Sequence, residues 1–162
     1  MGEEIDAIFT AAHRWRLRYA GSDAMAAWLR IQRAEALMTA ELNRLLKPFD
    51  LNAVRYEVLA LMTWTGKPVL IGQISDWLMI HPTSATNNIE RLEATGYVRR
   101  IPNPADRRST LVELTSSGQE VMEEATAIVV EHRFGLASLE PGDHVQLDRI
   151  LSRLSGRPEW GR

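Results

Sequence analysis

The feature that most constrains the fold is the punctuation of one segment, Ile71 to Thr115, where four patterns follow one another without a spacer. They are a short helix, a second and polar helix, and two strands of a basic ribbon. The second helix opens at His81-Pro82, where proline suits the first turn because its missing N–H has no partner there in any case. Ala85, Ile89 and Leu92, spaced four and three apart, predict one apolar face. The opposite face carries Thr83, Ser84, Thr86, Asn87, Asn88 and Arg91, which can bond to phosphates and base edges. An asparagine amide matches the two major-groove groups of adenine. Gly96 is placed to end the helix. Tyr97-Val98-Arg99-Arg100-Ile101 then alternates like a strand, Pro102-Asn103-Pro104-Ala105 breaks the run, and Leu111-Val112-Glu113-Leu114 brings the chain back. Asp106-Arg107-Arg108 falls at the hairpin tip, where a projecting arginine can enter a minor groove. One of the two arginines is expected to pair with Asp106 and stiffen the tip, which leaves the other for DNA. A helix-turn-helix followed by a basic wing is an arrangement that reads double-stranded DNA.

A net charge of −2 does not oppose this, because the distribution matters more than the total. From His81 to Val112 five arginines (91, 99, 100, 107 and 108) stand against Glu90, Glu93 and Asp106. Glu90 and Glu93 are expected to face solvent or to pair with Arg91 along the helix.

At 162 residues the chain suffices for one domain with a sizeable core. It has no apolar run near the roughly 20 residues of a membrane span and no cationic leader, so a cytoplasmic protein without a membrane partner is expected. The absence of cysteine excludes disulfides and thiolate chemistry. The histidines at 13, 81, 132 and 144 lack metal-ligand spacing, and no phosphate loop or nucleophile elbow is present. Neither an enzyme nor a bound metal or other cofactor is expected. The competing class is an architectural or protein-binding winged helix without a small-molecule ligand.

Helical periodicity also runs through both ends of the chain. Ile5 to Tyr19 and Ser22 to Pro48 are predicted helices, the second longer than a small domain needs for its own core. Asn52 can cap a helix with Val54, Val58, Leu61 and Met62 facing inward, which fades at Thr65-Gly66-Lys67-Pro68, and Val69-Leu70 can add a third strand. Thr115 and Ser116 begin a helix reaching toward Phe134, and Pro141 opens a last one through Leu154. The fold class expected is mainly α with a small β-wing. Residues 52–115 form the winged helix-turn-helix lobe of a single 1–162 domain, while 5–49 and 116–155 converge as a helical dimerisation layer. A two-fold dimer would present two reading helices about 34–36 Å apart, matching an inverted repeat.

These residues resemble the MarR (multiple antibiotic resistance regulator) family of winged-helix repressors. The likeness is carried by Asp106-Arg107-Arg108-Ser109-Thr110-Leu111-Val112-Glu113-Leu114-Thr115 with Gly118, by the stretch from His81 to Glu93, and by Gly96-Tyr97-Val98-Arg99-Arg100. It covers about residues 23 to 155. The resemblance implies a homodimeric repressor, released by a ligand between dimer layer and reading lobes, with Arg108 as the groove-entering arginine. The family usually has an arginine where this chain has Asn87. An N-terminal helix with Trp15 is similar to the urate-responsive branch, where Trp15 would stack on the ligand. Glu57 stands where that branch has an aspartate and Asn88 where it has an arginine, so the expected effector is not urate itself. Trp15, Tyr19 and Trp28 suit either a core or a ligand cage. With Arg16, Arg55 and Glu57 they form the candidate effector set, which fits an aromatic acid, a phenol or an acyl thioester.

Overall fold

The computed structural model describes residues 7–19, 22–106, 108–140 and 142–153. Along them lie α1 (Ala7–Arg16), α2 (Ser22–Leu46), a 3₁₀ turn (Lys47–Phe49), α3 (Ala53–Thr65), β1 (Val69–Leu70), α4 (Ile71–Trp77) and α5 (Pro82–Ala94). Then come β2 (Val98–Pro102), β3 (Thr110–Leu114), α6 (Ser116–Glu131), a second 3₁₀ turn (Arg133–Gly135) and α7 (Asp143–Leu151). The fold is mainly α with a small three-stranded antiparallel sheet, as the sequence predicts. No described helix is long and apolar enough to cross a membrane.

Contacts divide the chain within α2, into residues 1–41 and 42–162. In the first unit no described side chain is buried. Trp15, Leu17, Tyr19, Trp28, Ile31 and Leu37 are all exposed, Leu17 by 77% and Leu37 by 61%. Among the described residues these helices therefore show no hydrophobic core of their own, although their sequence has the apolar content to supply one side of it.

The core lies in the second unit. Asn52 caps α3 by accepting the Arg55 N–H at 2.8 Å, and Gly66 closes the helix in the left-handed region at φ 61°. Tyr56, Val58, Leu59, Ala60 and Met62 are buried in succession. One-faced burial was the expectation, but α3 is packed by α5, α6 and β3, so most of its surface is internal. Val54 and Leu61, expected to face inward, are only partly buried. Ile74 of α4, Ala85, Ile89 and Leu92 of α5, and Ala125 and Val129 of α6 complete the core at 1% exposure or less. Each large side chain among them contributes about 1.5–3 kcal/mol by leaving water.

The sheet order is β1-β3-β2, so the short Val69-Leu70 segment does add a strand, pairing Val69 with Val112. On the other edge Arg99 faces Glu113 and Arg100 faces Val112. Thr115 caps α6 through its side chain, which accepts the Gly118 N–H at 3.0 Å. Gly118 itself is obligatory, since a Cβ there would fall on the Tyr97 carbonyl oxygen. Several boundaries differ from expectation, α1 ending at Arg16 rather than Tyr19. Helix α6 stops at Glu131, and Phe134 takes a left-handed φ of 54° in the following turn, which removes it from the helical face. Helix α7 starts at Asp143 after Gly142 at φ 97°, while the expected opening at Pro141 and the end at Leu154 lie outside the described residues.

Candidate nucleic-acid interface and effector cavity

Helix α5 is anchored by burial and presented by its start. Its apolar face packs on α3 and α4, and the His81 imidazole caps it, Nδ1 accepting the Thr83 N–H at 3.2 Å ahead of Pro82. Thr83, Ser84, Asn87 and Arg91 are exposed on the other side. Thr86 and Asn88, predicted as equals of these, are half-buried and partly engaged. The Thr86 hydroxyl donates to the Pro82 carbonyl at 3.0 Å, and the Asn88 amide donates to the Ser84 carbonyl at 2.8 Å. Each keeps acceptor capacity, but its freedom to search for a base is reduced.

Charge on this surface is more ordered than a count suggests. Arg99 Nε meets Glu113 Oε2 at 2.6 Å across the ribbon. Arg100 lies between Glu90 (3.7 Å) and Glu93 (3.4 Å), and its N–H also donates to Glu93 Oε1 at 3.3 Å. The two glutamates therefore pair with the strand rather than with Arg91. The reason is tertiary, because β2 packs alongside α5 and brings Arg100 within reach of both. Exposed pairs of this kind add at most about 1 kcal/mol each, but they neutralise two of the five arginines. Among the described residues, Arg91 and Arg108 have no carboxylate partner.

Asp106 supports the wing tip through the backbone. Its Oδ1 accepts the Arg108 backbone N–H at 3.0 Å, and its carbonyl accepts the Ser109 hydroxyl at 3.0 Å. Asn103 braces the other limb, accepting the Ala105 N–H at 3.0 Å and donating to Ser109 Oγ at 2.8 Å. Asp106 thus shapes the backbone, and the exposed Arg108 guanidinium meets no carboxylate among the described residues. Arg107 lies outside the described residues. At the wing base the Thr115 hydroxyl donates to the Gly96 carbonyl at 2.7 Å, and the Tyr97 hydroxyl donates to the Phe49 carbonyl at 3.1 Å. The ribbon is in this way tied to α6 and to the turn before α3.

On another side of α3 lies a cavity of about 490 Å³. Tyr56, Glu57, Leu61 and Trp64 of α3, Trp77 and Leu78 of α4, Met122, Glu123 and Thr126 of α6, and Phe134 line it. The wall is mostly apolar and aromatic. Tyr56 is held by a 3.2 Å hydrogen bond between its hydroxyl and Thr126 Oγ1. Glu57 makes no hydrogen bond or ion pair with a described residue, and partial burial pushes its carboxyl above the ordinary glutamate value of 4.5.

Of the expected effector residues, Glu57 lines this cavity and Arg55 does not. Arg55 is half-buried, with its Nε shielded and without an acceptor among the described residues. Trp15, Tyr19, Trp28 and Arg16 belong to the N-terminal unit. There the Trp15 and Tyr19 rings meet at 4.6 Å, tilted by 42°, with Arg18 5.8 Å over Tyr19. Arg16 is bound to Asp23 at 2.7 Å, and Trp28 is 59% exposed. Trp64, Trp77 and Phe134 were not singled out as ligand residues. A sequence signal for the first did exist, since Glu57, Leu61 and Trp64 share one helical face at i, i+4 and i+7.

Comparison with known proteins agrees with this geometry. Residues 49–109 match the MarR family. The HTH-type transcriptional regulator PecS of Dickeya dadantii is 32% identical over 127 residues, covering 76% of each chain. The chain belongs to the MarR family. It is accordingly a DNA-binding winged-helix transcriptional regulator and not an enzyme. Another MarR relative, a MarR family transcriptional regulator from Streptomyces coelicolor, superposes with a TM-score of 0.78 at 34% identity, over 83% of this chain and 94% of that one. A mutant MarR from Escherichia coli complexed with operator DNA shares the fold, with a TM-score of 0.72 at 22% identity over 84% and 98% of the two chains.

Proposed function

We propose that this MarR-family protein is a homodimeric, cytoplasmic repressor that binds an inverted-repeat operator in double-stranded DNA and is released by a small molecule. The observation that carries the reading is the α5 surface. Thr83, Ser84, Asn87 and Arg91 face outward from a buried anchor, beside a braced wing whose Arg108 has no carboxylate partner among the described residues. The polar side chains suit base edges and the two arginines suit phosphates or a minor groove. Residues 52–115 act as the reading lobe of a single 1–162 domain. The dimer layer is formed by residues 5–49 and 116–155. The uncovered apolar side chains of α1 and α2, with Val145 (65% exposed) and Ile150 (57%) of α7, support that assignment, because a second copy would cover them.

The cavity against α3 supports a small aromatic effector, being within the size range of small-molecule sites, roughly 300–1,000 Å³. Of the three expected classes, a phenol fits the wall best, since Glu57 can accept its O–H, whereas the described lining offers no cation to an aromatic acid or thioester phosphate. Kinship with the urate-responsive branch belongs to the same proposal and rests on α1 with Trp15. An effector need only prefer the conformation whose reading helices are wrongly spaced, at about 1.4 kcal/mol per tenfold loss of operator affinity.

Selection of bound sequences from random DNA, with sedimentation of the complex, tests the reading. A palindromic consensus bound by two chains is the expected result. A monomer on DNA, or no preference over scrambled competitor, would overturn it. Urate and phenols added to the selected complex test the effector class.

A further inference from the structure

The wall of the cavity has a sign. Two carboxylates reach it, Glu57 from α3 and Glu123 from α6, and none of the described residues that line it is lysine, arginine or histidine. Glu123 is occupied by a neutral donor, its Oε1 accepting from Gln119 Nε2 at 2.8 Å. Glu57 has no partner among the described residues. Trp64 (80% exposed), Trp77 and Phe134 (42%) line the same open cavity as the exposed Glu57, and the Tyr56 hydroxyl is bonded to Thr126 on α6.

An anion entering this space would meet uncompensated negative charge in a partly desolvated site, where repulsion is screened less than in water. A cation meets the opposite situation. Its charge falls to Glu57, and its body lies against π-faces that attract positive charge, tryptophan most strongly. We propose that the cavity selects an organic cation, an aromatic or otherwise lipophilic body bearing an ammonium or amidinium group that bonds to Glu57. The inference rests on the reading of this cavity as the effector site and names the chemistry of its ligand. A phenol would use the same acceptor but leave the charge unmatched.

Partial burial raises the Glu57 carboxyl above its ordinary value because its charge is desolvated, and a bonded cation would offset that cost. Glu123 and the Tyr56 phenol are the other titratable groups on the wall. The walls from α2, α4 and the turn after α6 carry no charge. Cation affinity should therefore fall as pH drops through the Glu57 titration.

The test uses the full chain and two pairs of ions matched in shape and opposite in charge, benzamidinium with benzoate and tetraphenylphosphonium with tetraphenylborate. Calorimetry should give at least one cation an affinity tenfold or more above its anion. Glu57→Gln should cost that cation about tenfold, with Glu57→Asp recovering part of it. A thermal melt of each variant checks the fold. Anions binding as tightly as cations, Glu57→Gln without effect on a folded protein, or no binding by any of the four ions would overturn the proposal. Operator release is measured separately. A cation that binds through Glu57 but leaves the DNA complex intact would sink the effector reading and spare the cation site. Release by aromatic acids with no cation binding would do the reverse.

Discussion

The reading surface and the cavity are built against the same helix, α3, yet they dispose of charge in opposite ways. On the reading surface every carboxylate between residues 81 and 114 is committed. Glu113 holds Arg99, Glu90 and Glu93 hold Arg100, and Asp106 holds the wing backbone. What remains available is positive, at Arg91 and Arg108. In the cavity no basic side chain among the described residues reaches the wall, and what remains available is the Glu57 carboxylate. Uncommitted charge, rather than total charge, distinguishes the face proposed to meet phosphates from the cavity proposed to take a cation.

The largest expected effect breaks the part that both regions share. Gly118→Ala drives a methyl group into the Tyr97 carbonyl at the junction of wing and α6, and should cost about 3 kcal/mol in chemical denaturation. Loss below about 1 kcal/mol would mean that wing and α6 can move apart freely. Next comes the contrast between free and paired arginines. Arg108→Ala should weaken operator binding roughly tenfold and lower the salt slope by about one, and Arg91→Ala should act in the same direction, while Arg99→Ala changes affinity less than about twofold. Equal effects from Arg99 and Arg108 would erase the distinction between committed and available charge. Thr115→Ala removes a cap and a tie to Gly96, for a loss of about 1 kcal/mol in thermal or chemical unfolding.

The smallest effect sharpens the cavity side. Because the folded-state carboxyl of Glu57 lies above its ordinary value, ionising it opposes folding. That penalty is absent below pH 4.5 and full above the raised value. Glu57→Gln should therefore match the parent in acid and be stabilised at neutral pH by no more than about 0.5 kcal/mol, since the group is partly open to solvent. A variant less stable at neutral pH would show that Glu57 has a favourable partner in the folded protein.

Much of the reading lobe was legible in residue order. Pro82, Gly96 and the Ala85/Ile89/Leu92 spacing define α5 through local sterics and helical period, and the structure places them in those roles. Thr115 and Asn52 were equally readable as caps. Pairing partners were not. Nothing in the spacing of Glu90 and Glu93 points to Arg100, which reaches them only because the ribbon folds back along α5. The cavity-lining residues were the least legible, because Trp64, Trp77 and Phe134 come from three elements and become one wall only after packing. Arg55 shows the converse, being adjacent in sequence to the cavity-lining Tyr56 and pointing elsewhere on the helix.

By itself the sequence determined the elements of the reading lobe, their order and the polar character of the exposed α5 face, because turns, caps and periodicity act over a few neighbouring residues. Only the tertiary structure decided which charges are spent and which are left over, and that the wall beside α3 is aromatic and acidic. Those properties depend on distances between segments far apart along the chain, and such distances are set by how the core packs.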